Sequence, residues 1–155
     1  MHILQEKSFR LKSARAIIPT TIIQILEGKK SISLGNLHPT RDLTYVKDTV
    51  RGFIEIAKNS DMTGEVVNIG TNSEISIGDL VTKISELMQS GIRVEVDQDR
   101  VRTAKSEVDR LFCDNTKITS MTGWKPEYTL EKGLTETIEY IRENINDYKS
   151  EIYNI

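Results

Sequence analysis

One cysteine, Cys113, stands in a chain of 155 residues, so no intrachain disulfide can form and a cysteine-rich metal site is excluded. That usage suits a reducing compartment, and a cytoplasmic protein is expected. No apolar run approaches the roughly 18 residues that a bilayer span needs, and Met1-His2-Ile3-Leu4-Gln5-Glu6-Lys7 lacks the apolar stretch of a secretion signal. An excess of either charge is missing too. Twenty-one basic against 23 acidic residues leave a formal charge of -2, which gives no reason to expect nucleic acid or a membrane surface as partner. A single phosphorylated small molecule remains open. The two histidines are far apart and His38 lies between Leu37 and Pro39, so a metal site is not expected. None of the nine glycines stands three residues from another, so the glycine-rich turn with which dinucleotide folds meet a pyrophosphate is absent.

The length fits one domain with a real core. Residues 1–13 read as an irregular arm, 14–146 as the folded domain and 147–155 as a tail. A helix is expected from near Pro19 to Gly28, because proline is tolerated only in a first turn. Ser31–Leu34 reads as a short strand and Glu65–Gly70 as a buried one, with Asn68 satisfying backbone inside it. Ser76 then caps a helix whose apolar residues Ile77, Leu80, Val81, Ile84, Leu87 and Met88 recur at helical spacing. Ile92–Val96 alternates as a strand, and 97–110 is a charged loop. Asp114 opens a short helix that stops at Gly123, before the packing and turn residues Trp124 and Pro126. The last helix carries Leu130, Leu134, Ile138, Ile141 and Ile145 along one side. Strands alternating with helices imply an α/β fold with a small mixed, partly parallel sheet and flanking helices.

The stretch around which the rest is organised is Thr40-Arg41-Asp42-Leu43-Thr44-Tyr45-Val46-Lys47-Asp48. It reads as a strand entered through an arginine and left through an aspartate able to cap a helix, whose apolar side carries Val46, Val50, Phe53, Ile54 and Ala57. Arg41 offers a planar fork of donors suited to phosphate oxygens, and a buried Asp42 would hold that fork in place. A solvated surface charge is the competing interpretation.

This stretch, Val67-Asn68-Ile69-Gly70, Ser76-Ile77, Asp114-Asn115-Thr116-Lys117-Ile118 and Gly123-Trp124-Lys125-Pro126 come in the order and spacing of the carboxy-terminal half of extended short-chain dehydrogenases. From about residue 13 to 145 the chain resembles their nucleotide-sugar 4,6-dehydratase and epimerase branch. Arg102 with Ser106-Glu107-Val108-Asp109 is most similar to the segment found in dehydratases of the GDP-mannose and bacterial amino-sugar type.

The resemblance implies a substrate domain without its Rossmann half. It places Arg41 on the diphosphate of a nucleotide sugar, Arg102 on the same diphosphate or the adjoining ribose, and Glu107 on the ribose hydroxyls. Arg15 and Ala16, in the segment covering sugar and nucleotide at the domain boundary, are further contact candidates. For Arg102 and Glu107 the residues alone would also suit a salt-bridged, solvated loop.

NAD serves the full-length family, but no cofactor is expected on this chain alone. Tyr128 and Lys132 have the spacing of the family's catalytic pair yet stand where the family has a structural segment, so no catalytic residue is assigned. Phe9-Arg10-Leu11-Lys12 replaces the family's Tyr-Gly-Pro-Arg, a departure that reads as a shortened or displaced start. Two functions stay open: the nucleotide-sugar-binding portion of a dehydratase or epimerase, inactive alone, and a non-catalytic binding or interaction module on the same scaffold. Expected partners are a nucleotide sugar, a possible separate Rossmann half, and a second copy docked through an exposed strand or helix.

Overall fold

The computed structural model describes residues 16–97 and 108–148. The first helix, α1 (Ile17–Leu26), holds Pro19 in its first turn and buries Thr20, Thr21, Ile22, Ile23 and Gln24. Strand β1 (Ser31–Leu34) pairs in parallel with β4 (Arg93–Val96), Ile32 opposite Val94. A second sheet has the order β3-β2-β5, in which β2 (Thr40–Arg41) runs antiparallel to β3 (Ile75–Ser76) and parallel to β5 (Arg110–Leu111). The expected α/β arrangement with small mixed sheets is therefore present. The chain crosses from the first sheet to the second twice, between β1 and β2 and again between β4 and β5.

Helix α3 (Ile77–Leu87) joins the two halves of the core. Leu80 and Ile84 pack with Ile22 and Ile23 of α1 and with Leu134, Ile138 and Ile141 of α5 (Leu130–Glu143), while Val81 turns to Ile32 and Leu34 of β1. The spacing of apolar residues in α3 thus serves two clusters at once. Its start is fixed as expected: Ser76 Oγ accepts from the Asp79 N–H at 3.0 Å. Ser76→Ala should therefore cost about 1 kcal/mol, seen as a fall of about 3 °C in Tm by calorimetry.

Helix α4 (Thr116–Thr122) ends at Gly123, whose φ of 73° is open to glycine at little cost. Asn115 takes the cap position, with Asp114 Oδ1 accepting from the Thr116 N–H at 2.9 Å. Trp124 is buried and its indole N–H donates to the Asp48 carbonyl at 3.2 Å, as befits a packing residue. A 3-10 turn at Ile145–Asp147 brings Tyr148 against the helical core, so packing continues beyond residue 146, where a tail was expected.

Three expectations are corrected. The strand around Arg41 has ladder pairing only at Thr40–Arg41, after which the chain is extended into α2 (Val46–Lys58). Asp48 does not cap α2: Tyr45 holds that position and Asp48 lies within the first turn, fully buried. Glu65–Gly70 is not a strand, and Asn68 is exposed rather than buried in one. The apolar pattern there is genuine, but strand structure exists only with a partner, and no described residue pairs with it. Instead its ends are tied down. Lys117 Nζ donates to Glu65 and to the Val66 carbonyl, and Asn115 Nδ2 donates to the Gly70 carbonyl at 2.8 Å. Gly70 lies so close to Cys113 that no Cβ would fit without a shift of that side chain.

Candidate functional site

Two adjoining cavities share Leu43, Tyr128, Thr129 and Leu130 and so form one groove. The first, of about 200 Å3, is mostly apolar and reaches Ile18 at the head of α1 and Leu134 on α5. The second, of about 360 Å3, is bordered by Arg41, Thr71, Ser73, Glu74 and Ile75. Arg41 and a rim of hydroxyl-bearing side chains suit a polar, anionic ligand at this end, while the apolar end suits a less polar group.

Strand β2 delivers Arg41 to the groove, but Asp42 does not hold its fork. Arg41 Nη1 donates to the Thr40 carbonyl at 2.7 Å, whereas Asp42 Oδ1 accepts from the N–H and hydroxyl of Thr71 at 2.9 and 2.7 Å. Asp42 Oδ2 is buried without a hydrogen-bond partner. The effect of Asp42 is to fasten the 70–75 turn, where Asn72 has a φ of 57°, against the strand that carries Arg41.

The shared wall depends on Asp48. Its carboxylate accepts from Arg51 Nη2 at 2.6 Å and from the Tyr128 N–H at 2.9 Å, and both its oxygens lie 3.1 Å from the Glu127 nitrogen. Burial works to raise this carboxyl, but the hydrogen bonds from Arg51, Glu127 and Tyr128 outweigh it and hold the group below its usual value. Tyr128, so placed, meets the Tyr45 ring at a centroid distance of 4.5 Å. The Tyr45 hydroxyl and Lys47 Nζ both donate to Glu136 Oε2 at 2.7 Å, closing α2 onto α5. Burial, followed by the hydrogen bond to Glu136, raises the Tyr45 phenol.

Of the residues expected at the site, Arg41 borders the groove. Ala16 is exposed at the head of α1, two positions before Ile18, which lines the apolar cavity. Arg15, Arg102 and Glu107 lie outside the described residues. The flanks of the 98–107 segment are described: Asp97 N–H donates to the Leu34 carbonyl at 2.7 Å, and the Asp109 carbonyl accepts from the Thr40 N–H at 2.8 Å. The chain thus returns beside Arg41. Tyr128 and Lys132 show no acid–base geometry, since the ammonium lies over the ring face, 4.1 Å from its centroid.

Sequence reasoning missed Glu74, Thr71, Ser73 and the anchoring role of Asp48. A signal for Asp48 was available in Arg51 at i+3, but its bonds to Glu127 and Tyr128 span about 80 residues.

The described glycines that approach other atoms closely show no cradle for a dinucleotide's pyrophosphate. The glycines at which an added Cβ would be crowded already face the protein itself: Gly52 meets Ile69, Gly70 meets Cys113 and Gly133 meets Tyr45. None of them offers backbone to a pyrophosphate. Among the described residues, no group of three or more His, Cys, Asp or Glu side chains is placed to hold a metal ion, and no helix is long and apolar enough to cross a membrane.

Residues 4–137 match the model of the family described as GDP-mannose 4,6 dehydratase. A putative UDP-glucose 4-epimerase of Methanocaldococcus jannaschii is 32% identical over 133 residues, 86% of this chain and 41% of that protein. The human dTDP-D-glucose 4,6-dehydratase is 30% identical over 137 residues, 86% of this chain and 39% of the relative. Among solved structures, the Bacillus anthracis dTDP-glucose 4,6-dehydratase in complex with NAD superposes with a TM-score of 0.72 at 27% identity, covering 87% of this chain and 42% of the other. The Bacillus cereus UDP-glucuronic acid 4-epimerase in complex with UDP-glucuronic acid and NAD gives 0.74 at 25% identity, with 84% and 41% covered. The chain therefore spans about two fifths of the length of these relatives.

Proposed function

The chain belongs to the extended short-chain dehydrogenase family of NAD-dependent nucleotide-sugar dehydratases and epimerases, and from that premise we propose that these 155 residues seat the nucleoside-diphosphate sugar. Arg41 takes the diphosphate, because its guanidinium borders a cavity that the hydroxyls of Thr71, Ser73, Tyr128 and Thr129 also line. Arg102 serves the same diphosphate or the adjoining ribose, and Glu107 accepts from the ribose hydroxyls. Arg15 and Ala16 are further ligand contacts on this reading; Ala16 stands two positions before Ile18, which lines the apolar cavity. The single observation that carries this reading is Arg41 on the groove, with the chain returning from the 98–107 segment next to it.

Turnover on this reading requires a dinucleotide-binding unit and a Tyr-x-x-x-Lys pair formed by residues other than these, so the chain alone binds without reacting. The same reading gives the exposed face of α2 and the 65–70 segment a partner, either such a unit or a second copy of the chain. Thermal unfolding in the presence of UDP, GDP and dTDP sugars tests the groove. One of them, at 100 times its dissociation constant, should stabilise the chain by about 2.7 kcal/mol, and Arg41→Ala should weaken binding roughly tenfold. No shift with any of the three would remove the nucleotide-sugar site.

A further inference from the structure

Glu74 has the wrong sign for a groove that takes a diphosphate, yet it borders the same cavity as Arg41. Its carboxylate is held by a fork from Arg110: Nε lies 3.0 and 2.9 Å from the two oxygens and Nη2 lies 2.7 Å from Oε1. Thr40 Oγ1 adds a hydrogen bond of 2.6 Å to Oε2. Because Thr40 pairs with Arg110 between β2 and β5, and Glu74 immediately precedes β3, the three strands of the second sheet meet at this carboxylate. The bonds from Arg110, then Thr40, pull Glu74 down to about 2, so it remains charged at neutral pH and cannot shed its charge by taking a proton. The Arg110 side chain is 61% exposed, and its guanidinium carbon lies 4.6 Å from the Phe112 ring centroid.

We propose that Arg110 is the internal counter-charge that allows the Arg41 cavity to accept a diphosphate, a positioning residue acting through Glu74 rather than on the ligand. The inference rests on the nucleotide-sugar reading above. The sequence carries no local sign of it, since Glu74 and Arg110 are 36 residues apart.

Calorimetric titration of the chain with UDP-glucose, GDP-mannose and dTDP-glucose tests it, with circular dichroism establishing that each variant is folded. Arg110→Ala should weaken binding about tenfold by exposing an uncompensated carboxylate, and the loss should shrink at about 0.5 M salt. Arg110→Ala combined with Glu74→Gln should return to within about threefold of wild type, and Arg110→Lys should retain most of the affinity because it keeps the charge. Glu74→Gln alone should bind at least as tightly as wild type, a result that does not depend on whether Arg110→Ala folds. The proposal is overturned if Arg110→Ala binds like wild type, if the double variant is as weak as Arg110→Ala, or if Glu74→Gln weakens binding. If the folded wild type binds none of the three probes, the nucleotide-sugar reading itself fails and this proposal falls with it.

Discussion

Asp48→Ala is expected to lower the free energy of unfolding by about 3 kcal/mol, the low end of the range for breaking a buried ion pair. The side chain of Asp48 has no exposure, and its removal leaves the N–H groups of Glu127 and Tyr128 without their acceptor. Arg51, with 34% of its side chain exposed, can be partly rehydrated and retains its bond to Glu127, which is why the low end applies. Urea denaturation measures the loss as a drop in midpoint of at least about 1 M.

The pH dependence has a definite sign. The folded-state value of Asp48 is depressed, so its contribution is complete above the unfolded value of about 3.9 and fades as pH falls towards the folded one. Asp48→Asn should therefore be much less stable than wild type at pH 7, with the gap narrowing below about pH 4. A gap that stays constant from neutral pH to about pH 3 would show that the carboxylate charge contributes nothing. Because Tyr128 forms the shared wall of the groove, the folded Asn variant should also bind nucleotide sugar more weakly.

Asp48 also shows where a sequence of this kind stops being legible. Helices α3 and α5 follow from local information: apolar residues at helical spacing, a serine or threonine whose side chain accepts from the first turn, and acidic residues at the start. Arg41 stands out locally as an arginine at the entrance of an apolar run, although the strand which that run suggests is paired only at Thr40–Arg41. The anchoring of Asp48, by contrast, depends on backbone groups about 80 residues away, which no local pattern announces. Glu74 becomes a bridge only once three strands are assembled around it. Residues 65–70 fail for a related reason, since their apolar run suits a buried strand but does not say whether a neighbouring strand exists. The α2 pattern is one-sided, yet its apolar side is the one that faces outward.

That outward face should control association. Val46, Val50, Phe53 and Ile54 are 61%, 49%, 62% and 46% exposed, and Phe112, which lines a cavity with Phe53, is 43% exposed. Thr49, Phe53, Val67, Asn68, Ile69, Phe112 and Cys113 enclose a further cavity of about 410 Å3 along this surface. Single exposed apolar residues are ordinary, whereas a contiguous apolar surface flanked by an unpaired extended segment marks an interface. Wild-type chain alone is expected to be a dimer or larger at micromolar concentration by light scattering, and Val50→Glu with Phe53→Glu is expected to be monomeric. Burying a phenylalanine contributes about 2 kcal/mol, and a two-fold interface counts each position twice, so the pair of charges should weaken association more than roughly a hundredfold. A monodisperse wild-type monomer would overturn self-association and leave a dinucleotide-binding unit as the proposed occupant, whose binding the same charges should abolish. Asp48 lies on the buried side of α2 and fixes the groove wall, while positions 50 and 53 lie on its outer side. The charged variant should therefore remain folded and keep its affinity for nucleotide sugar while losing its partner, its Tm falling only by what association contributes and no longer depending on concentration, a separation that a merely unfolded protein would not show.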